Sequence, residues 1–258
     1  MDMGLTGKRA LVLGASGGLG RAIAQGLAAE GAHVIAAARN VDAIEVWARD
    51  MPNTTITSAA IDLSDFASID KLMERLLAEG GVDVLVNNSG GPPPGTALTV
   101  GRKDWNYHFE TMATSLFHLT AKLVPAMQLR GWGRVITIVS SGVEQPIPNL
   151  ALSNGIRSAV VGWSKTLAGE VAPHGVTVNI VMPGRIHTQR VDQLDAAAAE
   201  RTQTPVERIA AASVASIPAG RYGRPQEFAD VVVFLASERA SYVTGSRLRV
   251  DGGSIRSV

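Results

Sequence analysis

The feature that most constrains the fold is a series of short apolar segments that alternate with longer stretches. Six of these segments are rich in β-branched and other aliphatic residues, and they cover residues 9–13, 33–37, 82–86, 134–139, 177–181 and 247–250. Such runs suit parallel strands that are covered on both faces, and the stretches between them are long enough for crossover helices. The pattern predicts a doubly wound α/β fold.

The stretches between the runs predict the helices. The clearest cover residues 18–30, 65–79, 100–130 and 154–172. Gly31 stands where the first helix should stop, and Pro125 should kink or shift the third. The apolar residues of 65–79 fall on one helical face, as expected for a helix packed on a sheet.

Length and composition favour a single domain that covers residues 1–258. Of the 258 residues, 46% are hydrophobic, enough to bury one large core, and the formal charge of +1 argues against nucleic acid or an anionic membrane as a partner. No cysteine and no H-x-x-x-H spacing is present, so we expect no metal site. Because we find neither a signal-peptide core nor an apolar run of about 20 residues, we expect a cytoplasmic protein without a membrane span.

A glycine-rich turn, GASGGLG at residues 14–20, lies between the first strand and the first helix. Glycines in this context permit a tight turn and close approach of a pyrophosphate, and the helix N-terminus supplies amide donors. A purely structural turn is the alternative. The strand–turn–helix context favours dinucleotide binding on a Rossmann-type fold.

Further motifs follow in order: NNSG at 87–90, PGRIHT at 183–188, VTG at 243–245 and VDGG at 250–253. Together with the glycine turn they resemble the short-chain dehydrogenase/reductase family over essentially the whole chain, and within it the 3-oxoacyl-[acyl-carrier-protein] reductases. The resemblance implies hydride transfer between a nicotinamide cofactor and a small carbonyl or alcohol. It also implies a homotetramer or homodimer.

The resemblance assigns the cofactor contacts residue by residue. The glycine turn should hold the pyrophosphate, Asp62 the adenine edge, and Ile186 with Thr188 the nicotinamide carboxamide. The full expected set is Gly14, Ser16, Gly18, Leu19, Arg39, Asp62, Asn88, Gly90, Arg157, Pro183, Gly184, Ile186 and Thr188.

Cofactor choice depends on the end of the second strand, where NAD-binding relatives carry an acidic residue. The sequence there reads AARN at 37–40, so Arg39 follows the strand and no carboxylate is present. A guanidinium can pair with a 2′-phosphate, which favours NADP(H) over NAD. The alternative is an Arg39 that is solvated or stacked on adenine.

The catalytic set of the family is a Ser, a Tyr, a Lys and an Asn. Ser140 fits the first position at the end of the GRVITIVS segment, and the GWSKTLA segment at 162–168 fixes the register from the other side. That register places Ser153 at the Tyr position and Arg157 at the Lys position. The DWNYHFETM segment at 104–112 places Met112 at the Asn position.

These three substitutions weaken the expected proton transfer. A Ser hydroxyl stays neutral near pH 7, a guanidinium does not titrate there, and Met112 has no hydrogen-bond donor. His187 is the best substitute proton donor, with a surface imidazole as the alternative reading. Glu144 is a second candidate, and a solvated carboxylate is equally compatible with its place in the loop after Ser140.

Other residues have more ordinary readings. Tyr107 and Tyr222 are interpreted as packing residues, and Arg185 either holds an anion or is an exposed loop cation. Residues 190–219 should form a substrate lid of one or two helices, and residues 91–95 a rigid wall or a stiff surface loop. Three functions remain open: an NADP(H)-dependent oxidoreductase with an altered proton donor, a catalytically impaired cofactor sensor or scaffold, and a fold that serves assembly only because its cofactor site is also degraded.

Overall fold

The computed structural model describes residues 2–257, which contain seven strands. The strands are β1 (Arg9–Leu13), β2 (His33–Ala38), β3 (Thr55–Ala60), β4 (Val84–Asn87), β5 (Gly133–Ile138), β6 (Val176–Pro183) and β7 (Arg247–Val250). They form one sheet in the order β3-β2-β1-β4-β5-β6-β7, and neighbouring strands are parallel. The predicted doubly wound α/β fold is confirmed.

Helices cover both faces of the sheet. They are α1 (Gly18–Ala29), α2 (Val41–Ala48), α3 (Phe66–Ala78), α4 (Arg102–Phe109), α5 (Ser115–Arg130), α6 (Ala151–Val171), α7 (Gln189–Thr202), α8 (Val206–Ala215) and α9 (Pro225–Ala236). Within residues 2–257, none of the helices is long and apolar enough to cross a membrane.

Strand β3 is absent from the six predicted strands because its burial pattern is that of a sheet edge. Only Ala59 among its six residues is buried, and the strand carries polar residues between apolar ones. It is held by parallel pairing with β2, in the register His33 to Thr55. Partners that are distant in sequence therefore define this strand, and local apolar patterning does not.

The long helix predicted for residues 100–130 is interrupted in the structure. Helix α4 ends at Phe109, a π-helical turn covers Glu110–Thr114, and α5 then continues through Pro125. The interruption of the α-helix thus lies before Pro125, at Glu110–Thr114. The π-helical turn buries Met112 against α6, which begins at Ala151 and so starts earlier than predicted.

Within residues 2–257, the core consists of three clusters of buried side chains. The first packs α1, α2 and α9 on one face of the sheet, and the second packs α3 and α5 on the other. The third lies between the π-helical turn and α6 and includes Leu152 and Ile156. Helix α6 carries Ser153 and Arg157 and lies beside the carboxyl ends of β4 and β5. The third cluster holds this helix in place.

Candidate active site

The site lies at the carboxyl ends of the central strands, where the strand order reverses. β1 pairs with β2 on one side and with β4 on the other, so the connections from β1 and β4 leave the sheet in opposite directions and open a crevice. Asn88 spans this crevice, because its Nδ2 donates a hydrogen bond to the Leu13 carbonyl over 3.1 Å. A cavity of about 860 Å³ occupies this end of the sheet.

The glycine turn supplies one wall of the cavity. A Cβ on Gly20 would lie 2.2 Å from the Gly14 carbonyl oxygen, so only glycine lets α1 pack this closely against the turn. A Cβ on Gly17 would meet nothing within 4 Å, so this backbone is open to the cavity it lines. The α1 N-terminus has no side-chain cap. Free amides, a favourable dipole and open backbone fit the pyrophosphate of a dinucleotide.

Most of the residues predicted to contact the cofactor line the cavity. They are Ser16, Gly18, Leu19, Asn88, Gly90, Arg157, Pro183, Gly184, Ile186 and Thr188. Gly14 stands behind this lining, where its carbonyl packs against Gly20.

Arg39 and Asp62, also predicted to contact the cofactor, are not among the residues that line the cavity and follow the neighbouring ends of β2 and β3. Arg39 is exposed, and its guanidinium contributes to a lowered pKa of Asp62, after the two hydrogen bonds from Ser64 that are the main cause. The Ser64 amide and hydroxyl donate to one Asp62 oxygen over 2.9 and 2.8 Å. The Asp62 carboxylate is therefore held in place, whereas Arg39 remains accessible to a ligand.

Arg157 ties the ends of two strands together from α6. Its Nη1 donates to the Ile138 carbonyl over 2.9 Å, and its Nη2 to the carbonyls of Ser89 and Gly90 over 3.4 Å each. Burial, with the nearby charge of Arg190, lowers the pKa of Arg157 to about 10. The guanidinium therefore stays charged at neutral pH, as a fixed cation in the wall of the cavity.

Ser140 and Ser153 line the cavity together with Arg157. Ser140 follows β5, and its side-chain oxygen accepts a hydrogen bond from the Gly142 amide over 3.1 Å, which leaves its hydroxyl hydrogen free to donate. Ser153 is 8% exposed and lies one helical turn before Arg157 on α6. The structure thus brings together three of the four predicted catalytic residues, two hydroxyl donors and a cation.

His187, the fourth, is not brought to the cavity. The chain is extended before α7, so Ile186 and Thr188 face the cavity while His187 points to the outside. Its side chain is 69% exposed, and its Nε2 lies 3.6 Å from a carboxylate oxygen of Asp192. This alternation corrects the expectation that His187 replaces the missing proton donor.

The other polar candidates hold the structure around the cavity. Glu144 pairs with Arg249 on β7 and turns away from the pocket. Tyr222 donates its hydroxyl hydrogen to Asp195 over 2.7 Å, and Arg185 donates to the other oxygen of Asp195 over 2.7 Å. Asp195 is buried on α7, so these bonds attach the predicted lid to the body of the protein.

Two lid residues were missed by the sequence interpretation. Arg190, at the start of α7, donates from Nη2 to the Pro92 carbonyl over 2.7 Å and lies against Gly91 in the cavity wall. Asp195 falls one turn after buried Val191 on the same face of α7. A charged residue on an otherwise apolar helix face indicates an ion-pair or hydrogen-bond partner, and this pattern could have identified Asp195. No local signal marks Arg190, because Pro92 is distant in sequence.

Comparison with known proteins gives consistent matches along the chain. The enoyl-(acyl carrier protein) reductase family model matches residues 14–254. The 3-oxoacyl-[acyl-carrier-protein] reductase FabG of Escherichia coli (strain K12) is 39% identical over 254 residues, which are 97% of this chain and 98% of that protein. Nodulation protein G of Azospirillum brasilense is 38% identical over 251 residues, 95% of this chain and 97% of that protein.

Solved structures agree with these sequence matches. L-sorbose reductase from Gluconobacter frateurii, in complex with NADPH and L-sorbose, superposes with a TM-score of 0.93 and 33% identity over 100% of both chains. YwfH, an NADPH dependent reductase involved in bacilysin biosynthesis, has a TM-score of 0.93 and 30% identity over 98% of this chain and 100% of its own. With a matching family model and 39% identity to a curated relative along 97% of its length, the chain belongs to the short-chain dehydrogenase/reductase family.

Proposed function

We propose that this chain is an NADP(H)-dependent reductase of a small carbonyl compound that works without the family's Tyr and Lys. One observation carries the proposal: Ser140, Ser153 and Arg157 line the same cavity as the open backbone of the glycine turn. A dinucleotide held by the turn would reach the hydroxyl donors within the same cavity. The NADPH-bound L-sorbose reductase of the same fold supports this reading.

When bound, the reduced nicotinamide supplies a hydride to the carbonyl carbon. The hydroxyls of Ser140 and Ser153 donate hydrogen bonds to the carbonyl oxygen as negative charge develops on it, and the fixed charge of Arg157 stabilises the same oxygen. That oxygen finally takes a proton from solvent. Among residues 2–257, the cavity lining contains no Asp, Glu, His, Tyr or Lys, so no lining group titrates near neutral pH.

Turnover should therefore be slow and insensitive to pH. A positioned general acid contributes about 10²- to 10⁴-fold, and this factor is missing from the cavity. We expect slow NADPH oxidation with a panel of small ketones, and a kcat that is flat between about pH 6 and 8.5. His187→Gln should leave the profile unchanged, because His187 lies outside the cavity. A bell-shaped profile that this substitution removes would contradict the proposed mechanism.

NADP(H) preference is proposed to rest on Arg39. It is exposed at the end of β2, where NAD-binding relatives carry a carboxylate. Arg39→Asp should raise the Kd for NADPH by about 10- to 100-fold, the size expected from losing a charge-assisted hydrogen bond, and should tighten binding of NADH. Arg49→Asp makes the same charge change at the far end of α2 and is the matched control. Equal effects of both substitutions on NADPH binding would exclude the assignment.

The absence of a lining group that titrates near neutral pH, among residues 2–257, favours a second candidate function. In that case the chain binds NADP(H) and reports it to a partner, without hydride transfer. The two candidates differ in one measurable outcome. The sensor requires tight NADPH binding with no oxidation by any carbonyl compound, whereas the reductase requires a product alcohol.

A further inference from the structure

Within residues 2–257, the charged side chains that line the cavity are all positive. Arg157, Arg185, Arg190 and Arg201 all line it, and no carboxylate does so among residues 2–257. Arg185 is neutralised by Asp195 behind the lining. Within the part of the chain that the structure describes, the other three have no ion-pair partner within 4.0 Å. The molecule as a whole has a formal charge of only +1, so the cation excess is a local property of the cavity.

Two of these guanidinium groups line the same cavity and are removed from water to different degrees. Arg157 is buried, Arg190 is half-buried, and each has a pKa lowered by burial. The charge of Arg190 also lowers the pKa of Arg157, as expected for two like charges that repel each other in a cavity. Such an arrangement is unfavourable by itself, and an anion between or beside the two groups would relieve it.

Arg190 has guanidinium donors that make no hydrogen bond within residues 2–257. Its Nη2 donates to the Pro92 carbonyl, which fixes the direction of the side chain, and no other hydrogen bond from its guanidinium is found within residues 2–257. Arg157, in contrast, uses both Nη atoms on three backbone carbonyls. A guanidinium with its position fixed and its remaining donors free is suited to bidentate pairing with a carboxylate.

We propose that the substrate is a short oxo acid whose carboxylate binds Arg190 at the start of the lid. This inference rests on the proposed reductase function and names its substrate class. The anion would bridge α7 to the wall formed by Gly91 and Pro92, so binding and lid position are coupled. Arg157 adds a second positive charge on the side of Ser140 and Ser153, where the carbonyl group would lie.

The cofactor phosphates do not account for Arg190. The turn after β1 and the α1 N-terminus already provide the amide donors for a pyrophosphate, and Arg39 lies at the end of β2 for a 2′-phosphate. Arg190 instead donates to the Pro92 carbonyl, beyond Asn88 and Gly90 in the segment after β4. A role toward the substrate therefore explains its position better than a role toward the cofactor.

The test is calorimetric titration of the NADP⁺-saturated protein, in which no turnover occurs. The ligands are pyruvate, acetoacetate and levulinate, each compared with its methyl ester. We expect at least one acid to bind and its ester to bind at least about 30-fold more weakly, as for a charge pair lost from a desolvated site. Binding of acid and ester with equal affinity, or of neither in any pair, would overturn the proposal.

Three variants separate a role of Arg190 in substrate binding from a role in cofactor binding or in holding the lid. Arg190→Gln should weaken acid binding by at least about 30-fold while the Kd for NADPH changes by less than about threefold. Arg190→Lys keeps the charge without the planar fork and should lose less. Arg208→Gln, an exposed change on lid helix α8 outside the cavity, should leave acid binding unaltered. A loss of NADPH affinity in Arg190→Gln as large as the loss of acid affinity would refute the assignment.

The outcomes also distinguish this inference from the proposed function. If the acids bind as expected but NADPH is never oxidised, the anion site stands and the reductase proposal falls. If NADPH is oxidised only by neutral ketones, the reductase proposal stands and the anion site falls.

Discussion

The double substitution Ser153→Tyr with Arg157→Lys is expected to raise kcat for carbonyl reduction by about 100-fold or more, because it installs a general acid in a cavity whose lining, over residues 2–257, contains none that titrates near neutral pH. Ser153 lines the cavity beside Ser140, so a larger side chain at this position would project toward the reacting carbonyl. A neighbouring ammonium stabilises the phenolate and lowers the phenol pKa from about 10 toward neutrality. The measurement is steady-state NADPH oxidation with the best ketone of the panel.

The matched control is Ser153→Phe with Arg157→Lys, which has nearly the same bulk and no hydroxyl. We expect no gain from it. Reduction needs the protonated phenol, so kcat of the Tyr-containing double variant should fall as pH rises above the lowered phenol pKa, whereas the wild-type profile stays flat. Equal activity of the Tyr and Phe variants would show that position 153 is not where the proton is transferred.

The same double substitution should lower thermal stability. Arg157 donates to the carbonyls of Ile138, Ser89 and Gly90 from a buried position, and a Lys cannot reproduce the fork that reaches them all. Leaving buried carbonyls without donors costs about 1–3 kcal/mol each before water or rearrangement compensates. A gain in kcat together with a lower Tm would show that the double substitution improves proton transfer while it removes the stabilising hydrogen bonds of Arg157.

The second large effect is expected at the glycine turn. Gly17→Val should weaken NADPH binding by at least about 30-fold with little change in Tm, because the added side chain enters open space in front of the turn where the pyrophosphate would approach. Gly17 has an extended backbone, φ −172 and ψ −176, which a β-branched residue adopts without strain.

Gly20→Ala is the informative contrast. Its Cβ would lie 2.2 Å from the Gly14 carbonyl oxygen, so the turn must open, and both Tm and NADPH affinity should fall. Gly162→Ala, an exposed change on α6 with nothing within 4 Å of the added carbon, is the control that should leave NADPH affinity unaltered and should not lower Tm. Unchanged NADPH affinity in Gly17→Val would mean that the turn does not face the cofactor.

The sequence predicted well the features that depend on local patterning. Five of the six predicted runs correspond to strands that are largely buried, the sixth is the edge strand β7, and the glycine turn lies between β1 and α1 as expected. In contrast, β3 was missed because an edge strand has a polar pattern, and the π-helical turn at Glu110–Thr114 has no simple signature. These elements depend on packing against partners that are distant in the chain.

The site shows the same division. Motif positions placed Ser140, Ser153 and Arg157 in one cavity, because each follows or faces a strand end whose register is fixed. Motif position could not tell that Ile186 points inward and His187 outward, since that depends on the backbone direction at the start of α7. Nor could it reveal that Arg190 reaches Pro92, because the contact joins the lid to a loop after β4.

The central claim is that hydride transfer occurs in a cavity that lacks a general acid titrating near neutral pH. The most direct measurement uses NADPH deuterated at nicotinamide C4, incubated with the ketone and oxo-acid panel, followed by mass spectrometry of the products. We predict a deuterium-labelled alcohol from at least one substrate, and its loss in Gly17→Val. Tight NADPH binding with no labelled alcohol from any substrate would contradict the claim and would instead support a cofactor-binding protein without turnover.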